Sequence, residues 1–242
     1  MTDTAYIGRR SKRALILHDS FTFLVLGLST LVLFGVTLFL FRSFEARRMQ
    51  LATSFAQQGR EALQQGRARQ AVTDLETALE YKPEDYASQL LLAQALADAG
   101  ETDQATNYFL NLWEARPGDG FLNLQLARLE RQKGRRAEAI RYYRDSVFGD
   151  WRGDATVRRR DVRLELVDYL VQTNDVAAAR AELLIAAGNA PNDLELTLLF
   201  ADKLRELGDT ADALTYYRKA LSAHPKDARA RAGVAELEGE EH

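Results

Sequence analysis

Residues 66–85 read GRARQAVTDLETALEYKPED, residues 100–119 read GETDQATNYFLNLWEARPGD, and residues 208–227 read GDTADALTYYRKALSAHPKD. Each stretch opens on Gly, has Ala sixth, Pro third from the end and Asp last. The spacing holds beyond these three. Gly66, Gly100 and Gly134 recur every 34 residues, as do Ala71, Ala105 and Ala139. Asn174 and Gly208, Ala179 and Ala213, Pro83 and Pro117, and Pro191 and Pro225 are also 34 apart. From Gly134 to Asn174 the step is 40, so about six residues are inserted there. A fixed period of this length marks a chain of stacked supersecondary units, none of which buries its apolar face alone.

The recurring residues have physical reasons. Gly66 and its equivalents fall between two apolar-periodic segments, where the chain must turn through a left-handed conformation that a Cβ penalises. Asn174 substitutes there because Asn tolerates this region better than most residues. Small residues at the eighth and twentieth positions allow two helices to approach closely. Pro stops the second helix, because it lacks an amide donor and clashes with the preceding turn. Asp85, Asp119, Asp193 and Asp227 stand where they can accept the free amides of the next helix.

This pattern resembles the tetratricopeptide repeat (TPR), a helix-turn-helix unit of 34 residues. The register divides the chain into repeats at 52–85, 86–119, 120–153, 160–193 and 194–227, with a capping helix and tail at 228–242. Repeat three departs from the family pattern at Ser146 and Trp151. The resemblance implies an all-α TPR α-solenoid of five repeats plus a capping helix.

Ahead of the repeats, residues 21–41 read FTFLVLGLSTLVLFGVTLFLF without a charge. A helix of this length spans roughly 31 Å, the hydrocarbon thickness of a bilayer. The run is longer than a signal-peptide core and no small-residue cleavage pattern follows it, so Phe21–Phe41 is predicted to be a retained transmembrane helix. A basic tail, 1–20, precedes it, and a linker, 42–51, is expected to continue it as helix. Arg9, Arg10, Lys12 and Arg13 before the span against Arg42, Arg47 and Arg48 after it favour a cytoplasmic N-terminus. That orientation would place the repeats in the periplasm of a bacterial inner membrane.

The chain of 242 residues carries a net charge of −3, unevenly spread: residues 1–50 sum to +4 and the rest to −7. A mildly acidic body is not that of a nucleic-acid binder. Without cysteine, thiolate metal sites and disulfides are excluded. The three histidines, His18, His224 and His242, have no ligand spacing, and no phosphate-cradling loop or nucleophile elbow is present. Neither enzymatic activity, nor a cofactor, nor a small-molecule substrate is expected.

The family resemblance implies a protein or peptide partner, bound in a concave groove lined by the first helix of each repeat. Carried over position by position, that groove would present Phe121, Leu124, Arg128, Asp161, Leu164, Asp168, Glu195, Leu198 and Asp202. It would be acidic toward the C-terminal end. The leucines could equally pack between repeats. A second candidate docking patch is the inserted segment WRGDATVRRRDVR, 151–163, with Arg152, Arg158, Arg159, Arg160 and Arg163; its plainer reading is a solvated loop with the first turn of a helix. The chain is therefore expected to be a membrane-anchored scaffold in the assembly of a membrane or envelope complex. The alternative is a structural protein whose repeats self-associate. Oligomeric state is not legible in the sequence.

Overall fold

The computed structural model describes the backbone of residues 4–239 and the side chains of residues 23–239. The side chains of the basic tail, His18 included, and residues Glu240, Glu241 and His242 lie outside that range. Among the described residues there are eleven helices. They are α1 (Thr4–Gln64), α2 (Ala68–Tyr81), α3 (Tyr86–Asp98), α4 (Thr102–Ala115), α5 (Gly120–Gln132), α6 (Arg136–Phe148), α7 (Ala155–Gln172), α8 (Val176–Gly188), α9 (Leu194–Glu206), α10 (Thr210–Ala223) and α11 (Ala228–Gly239). The fold is an all-α solenoid of helical hairpins. It divides into two compact units, with the division after Ala95 inside α3.

The first unit is built on α1, a helix of 61 residues. Its apolar window has a mean hydropathy of 2.5, and Phe23–Phe41 are exposed throughout. The same helix continues through 42–51 without a break and packs its last turns against α2. Ala52 and Ala62 of α1 are buried there with Ala71, Val72, Leu75 and Ala78 of α2. Phe55 and Tyr81 stack with ring centroids 6.2 Å apart.

In the second unit α5 packs with α6, α7 with α8, and α9 with α10, while α4·α5, α6·α7, α8·α9 and α10·α11 join successive hairpins. The alanines at the twentieth repeat position, Ala105, Ala139, Ala179 and Ala213, are each 0% exposed, so any larger side chain would separate the packed helices. The aromatic position four residues later fills the space between hairpins with Phe109, Tyr143 and Tyr217.

The inter-helix turns take the expected conformation: φ is +70° at Gly66, +82° at Gly100, +72° at Gly134, +77° at Gly208 and +59° at Asn174. Helices α2, α4 and α10 end two residues before Pro83, Pro117 and Pro225, and α8 ends three before Pro191. All four repeat-closing aspartates cap the next helix. Asp85 accepts from Ser88 N at 3.0 Å, Asp119 from Phe121 N at 2.9 Å, Asp193 from Leu196 N at 2.9 Å and Asp227 from Ala230 N at 2.8 Å. Each such cap is worth about 1 kcal/mol.

Repeat three departs from the pattern in a concerted way. Ser146 Oγ donates to Gly120 O at 2.8 Å. Gly120 N donates to Asp150 O at 2.9 Å and Asp150 N to Gly118 O at 2.7 Å, a short bridge between the loops that enter α5 and leave α6. Trp151 replaces the proline, lays its indole over Gly120 and donates through Nε1 to Ser146 O at 2.9 Å. The off-pattern residues thus close one hairpin end on itself. The extra residues then start α7 early. It has 18 residues where α5 and α9 have 13, capped by Asp154, which accepts from Thr156 N at 3.0 Å and Val157 N at 3.1 Å.

Candidate functional site

Two surfaces of the second unit contain the sequence-predicted site residues. The first is the face made by the first helices of successive hairpins, α5, α7, α9 and α11. Of the expected leucine column, two members pack into the core and one is half-buried. Leu124 is 8% exposed and Leu198 is 0% exposed, both in the core, and Leu164 is half-buried, as is Phe121. The reason is the close spacing of the hairpins, which uses the fifth repeat position for packing between neighbours.

Each carboxylate of the expected acidic patch faces a cation. Asp168 pairs with Lys203 at 2.5 Å. Arg229 of α11 bridges Glu195 at 3.1 Å and Asp202 at 2.8 Å. Asp161 lies 3.7 Å from Arg160. Arg128 makes a two-pronged contact with Glu165, Nε to Oε1 at 2.9 Å and Nη2 to Oε2 at 2.7 Å. Apart from Asp161–Arg160, these ion pairs form a ladder across helices that links repeat three to four, four to five, and five to the capping helix. Lys203, Arg229 and Glu165 were not among the predicted residues. Arg229 occupies the second position of the capping helix, so carrying the register one repeat farther locates it. Lys203 and Glu165 each stand one place beyond the second-, fifth- and ninth-position columns from which the groove was drawn.

Tyrosines support this ladder from beneath. Tyr143 Oη donates to Glu165 Oε1 at 2.7 Å, and Tyr217 Oη donates to Asp202. Burial raises the Glu165 carboxyl pKa, but the hydrogen bonds from Arg128 and Tyr143, with attraction from Arg128 and Arg131, outweigh it and hold the carboxyl below its usual range. Burial first, then the hydrogen bond to Asp202, pushes the Tyr217 phenol up to about 12. Pairs this exposed contribute little stability each, about 0.2–1 kcal/mol, and their effect is to fix register.

The second surface is the inserted segment. Arg152 and Gly153 lie in the loop, with φ of +84° at Gly153, and Asp154 is the α7 cap, which gives the Arg-Gly-Asp triplet a structural role. Arg158 and Arg159 sit on the helical turn that the insertion adds, and Arg160 is the first residue of repeat four. Arg152, Arg158 and Arg159 are exposed, whereas Arg160 and Arg163 are largely buried along their stems, with side chains 16% and 13% exposed. Arg159 donates to Gly149 O at 3.2 Å, and Arg163 to Glu182 Oε2 at 2.8 Å. A cleft of about 250 Å³ opens between the start of α7 and the end of α8. It brings Arg159, Arg160 and Arg163 together and leaves Arg152 and Arg158 outside its lining.

Among the described residues, no group of three or more His, Cys, Asp or Glu side chains converges to hold a metal ion.

Sequence models described as tetratricopeptide repeat match residues 62–121, 124–193 and 194–237. The chain belongs to the tetratricopeptide-repeat family. No curated protein sequence matches the chain. Among solved structures, it is similar to PilF of Pseudomonas aeruginosa, with 19% identity over 78% of this chain and 90% of that one and a TM-score of 0.54. It is similar also to the MamA protein, with 14% identity over 74% and 95% and a TM-score of 0.55. PilW, described as a type IV pilus biogenesis factor, has 18% identity over 79% and 92% and a TM-score of 0.52. At these identities the likeness is one of fold, and it covers the repeats of this TPR protein.

Proposed function

We propose that this TPR protein is a membrane-anchored, non-catalytic scaffold that holds a protein partner at the membrane surface during assembly of a membrane or envelope complex. One observation carries the reading. The exposed apolar span and the first helix of repeat one are the same uninterrupted helix, α1, so repeat one follows the anchor without a flexible tether. Similarity of fold to PilF and PilW is compatible with an envelope role. The cationic flanks of the span favour a cytoplasmic N-terminus and periplasmic repeats.

The test is fractionation followed by topology mapping. The full chain should stay in membranes through carbonate washing and retain its original N-terminus, and protease added outside spheroplasts should digest the repeats. Release by carbonate would refute the anchor, and protected repeats would reverse the orientation. Sedimentation of the detergent-solubilised chain separates the scaffold from a self-associating structural protein: a monomer supports the first and a tight oligomer the second.

A further inference from the structure

We infer that the cleft between the first turns of α7 and the last turn of α8 docks an acidic segment of the partner protein that carries a bulky apolar side chain. This rests on the scaffold reading and gives it a site and a ligand chemistry.

Four features of the cleft point the same way. Its lining includes Arg159, Arg160 and Arg163 together with Thr156, Asn189 and Ile185, and no carboxylate. The local charge is under-compensated, because the single carboxylate of Glu182 serves both Arg163 at 2.8 Å and Arg144 at 3.9 Å. Among the described residues Arg160 Nε has no acceptor, and the one ion pair of Arg160 is the long one to neighbouring Asp161. The guanidinium groups of Arg159 and Arg160 in the cleft wall suit a carboxylate, which accepts charge-assisted hydrogen bonds. Lastly, the charged wall stands beside exposed apolar surface. Ile185 is 45% exposed, and Phe148, at the end of α6 with the Arg163 guanidinium 5.9 Å above its ring, is 77% exposed.

Arginine beside an open aromatic and an open aliphatic side chain is the composition of an interface centre. Inorganic phosphate would have no use for Phe148 and Ile185. A nucleic acid would need a basic stripe across the domain, whereas residues 51–242 carry a net charge of −7. An acidic peptide with an apolar side chain satisfies both parts of the site, with charge steering the encounter and apolar contact holding it. The cleft also owes part of its lining to this chain's own insertion: the added turn of α7 carries Thr156 and Arg159.

The experiment uses the full chain in detergent and the fluorescein-labelled peptide Asp-Glu-Glu-Phe-Leu-Glu-Asp-Glu-Glu, followed by fluorescence anisotropy. The unlabelled competitors are the same peptide with amides for its carboxylates, the same peptide with Ser-Ser for Phe-Leu, inorganic phosphate, and vesicles of anionic phospholipid. The expected result is saturable binding weakened at least about tenfold in Arg159→Gln/Arg160→Gln and about threefold or more in Ile185→Ser. Asp168→Asn, on the other surface, should leave it unchanged. The two altered peptides should compete poorly. Circular dichroism melts establish that each variant is folded, and Arg159→Gln alone, at an exposed position, serves if the double variant is not.

Absence of binding, or equal binding by the folded arginine variants, overturns the inference. Displacement by phosphate or vesicles together with indifference to Ile185→Ser overturns it in favour of a simple anion or membrane site. A native partner crosslinked only to α5, α9 or α11 would sink this inference and leave the scaffold standing, whereas a chain with no partner would sink both.

Discussion

Trp151 and Gly120 compete for one space: a Cβ built on Gly120 would lie 2.4 Å from the indole Nε1 of Trp151. Gly120→Ala should therefore destabilise the α5–α6 hairpin by about 1–3 kcal/mol, the usual range for overpacking. In a Trp151→Ala background the same substitution should cost less, because the obstructing ring is gone. A double-mutant cycle from denaturant melts measures the coupling, and strictly additive effects would show that the two residues do not touch.

Ala139 is 0% exposed where α6 crosses its neighbours. Ala139→Leu should cost about 1–3 kcal/mol. Since each repeat is stabilised by its neighbours alone, hydrogen exchange should accelerate first in α5, α6 and α7, with α10 and α11 little changed. Uniform acceleration along the chain would contradict that local coupling.

How far the sequence carried this structure is clearest at particular residues. The turns at Gly66, Gly100, Gly134, Asn174 and Gly208 and the caps at Asp85, Asp119, Asp193 and Asp227 follow from local backbone chemistry, and a fixed period makes local chemistry visible. The closure built from Ser146, Asp150 and Trp151 is legible only as departures from the pattern, because its bonds to Gly118 and Gly120 join loops about thirty residues apart. The fate of Leu124, Leu198 and the groove carboxylates depends on how closely successive hairpins pack and on which cation each acid meets across helices. Those are tertiary facts. Arg229 was within reach by extending the register, whereas the cleft at Arg159, Arg160 and Arg163 required knowing that the inserted residues lengthen α7.

The Glu165 carboxyl is held below its ordinary range by Arg128 and Tyr143 against the opposing effect of burial. A group with a lowered folded-state pKa adds stability above its unfolded value, near pH 4.3, and loses it as pH falls through the folded value. Wild type should thus exceed Glu165→Gln in stability at neutral pH, with the gap closing as the pH drops below that point. Melting curves of both proteins from pH 7 to pH 3 give the answer, and a gap that widens in acid would reverse the assignment.

Asp168 and Lys203 form an exposed rung of the ladder, with side chains 50% and 22% exposed. Asp168→Lys should cost no more than about 1 kcal/mol, and added salt should shrink the effect. Restoration of stability by the charge-swapped pair Asp168→Lys/Lys203→Asp tests the pairing, and no recovery would mean the two side chains do not meet.

Whether this chain works as a membrane-anchored docking scaffold is decided most directly by site-resolved crosslinking in native membranes, with a photoreactive residue at Ile185 and another at Leu164, and mass-spectrometric identification of the adducts. The expected result is a discrete adduct from Ile185 to an acidic segment of a different polypeptide, lost when Arg159 and Arg160 are changed to Gln. Adducts joining only copies of this chain, or none at either position, would contradict it.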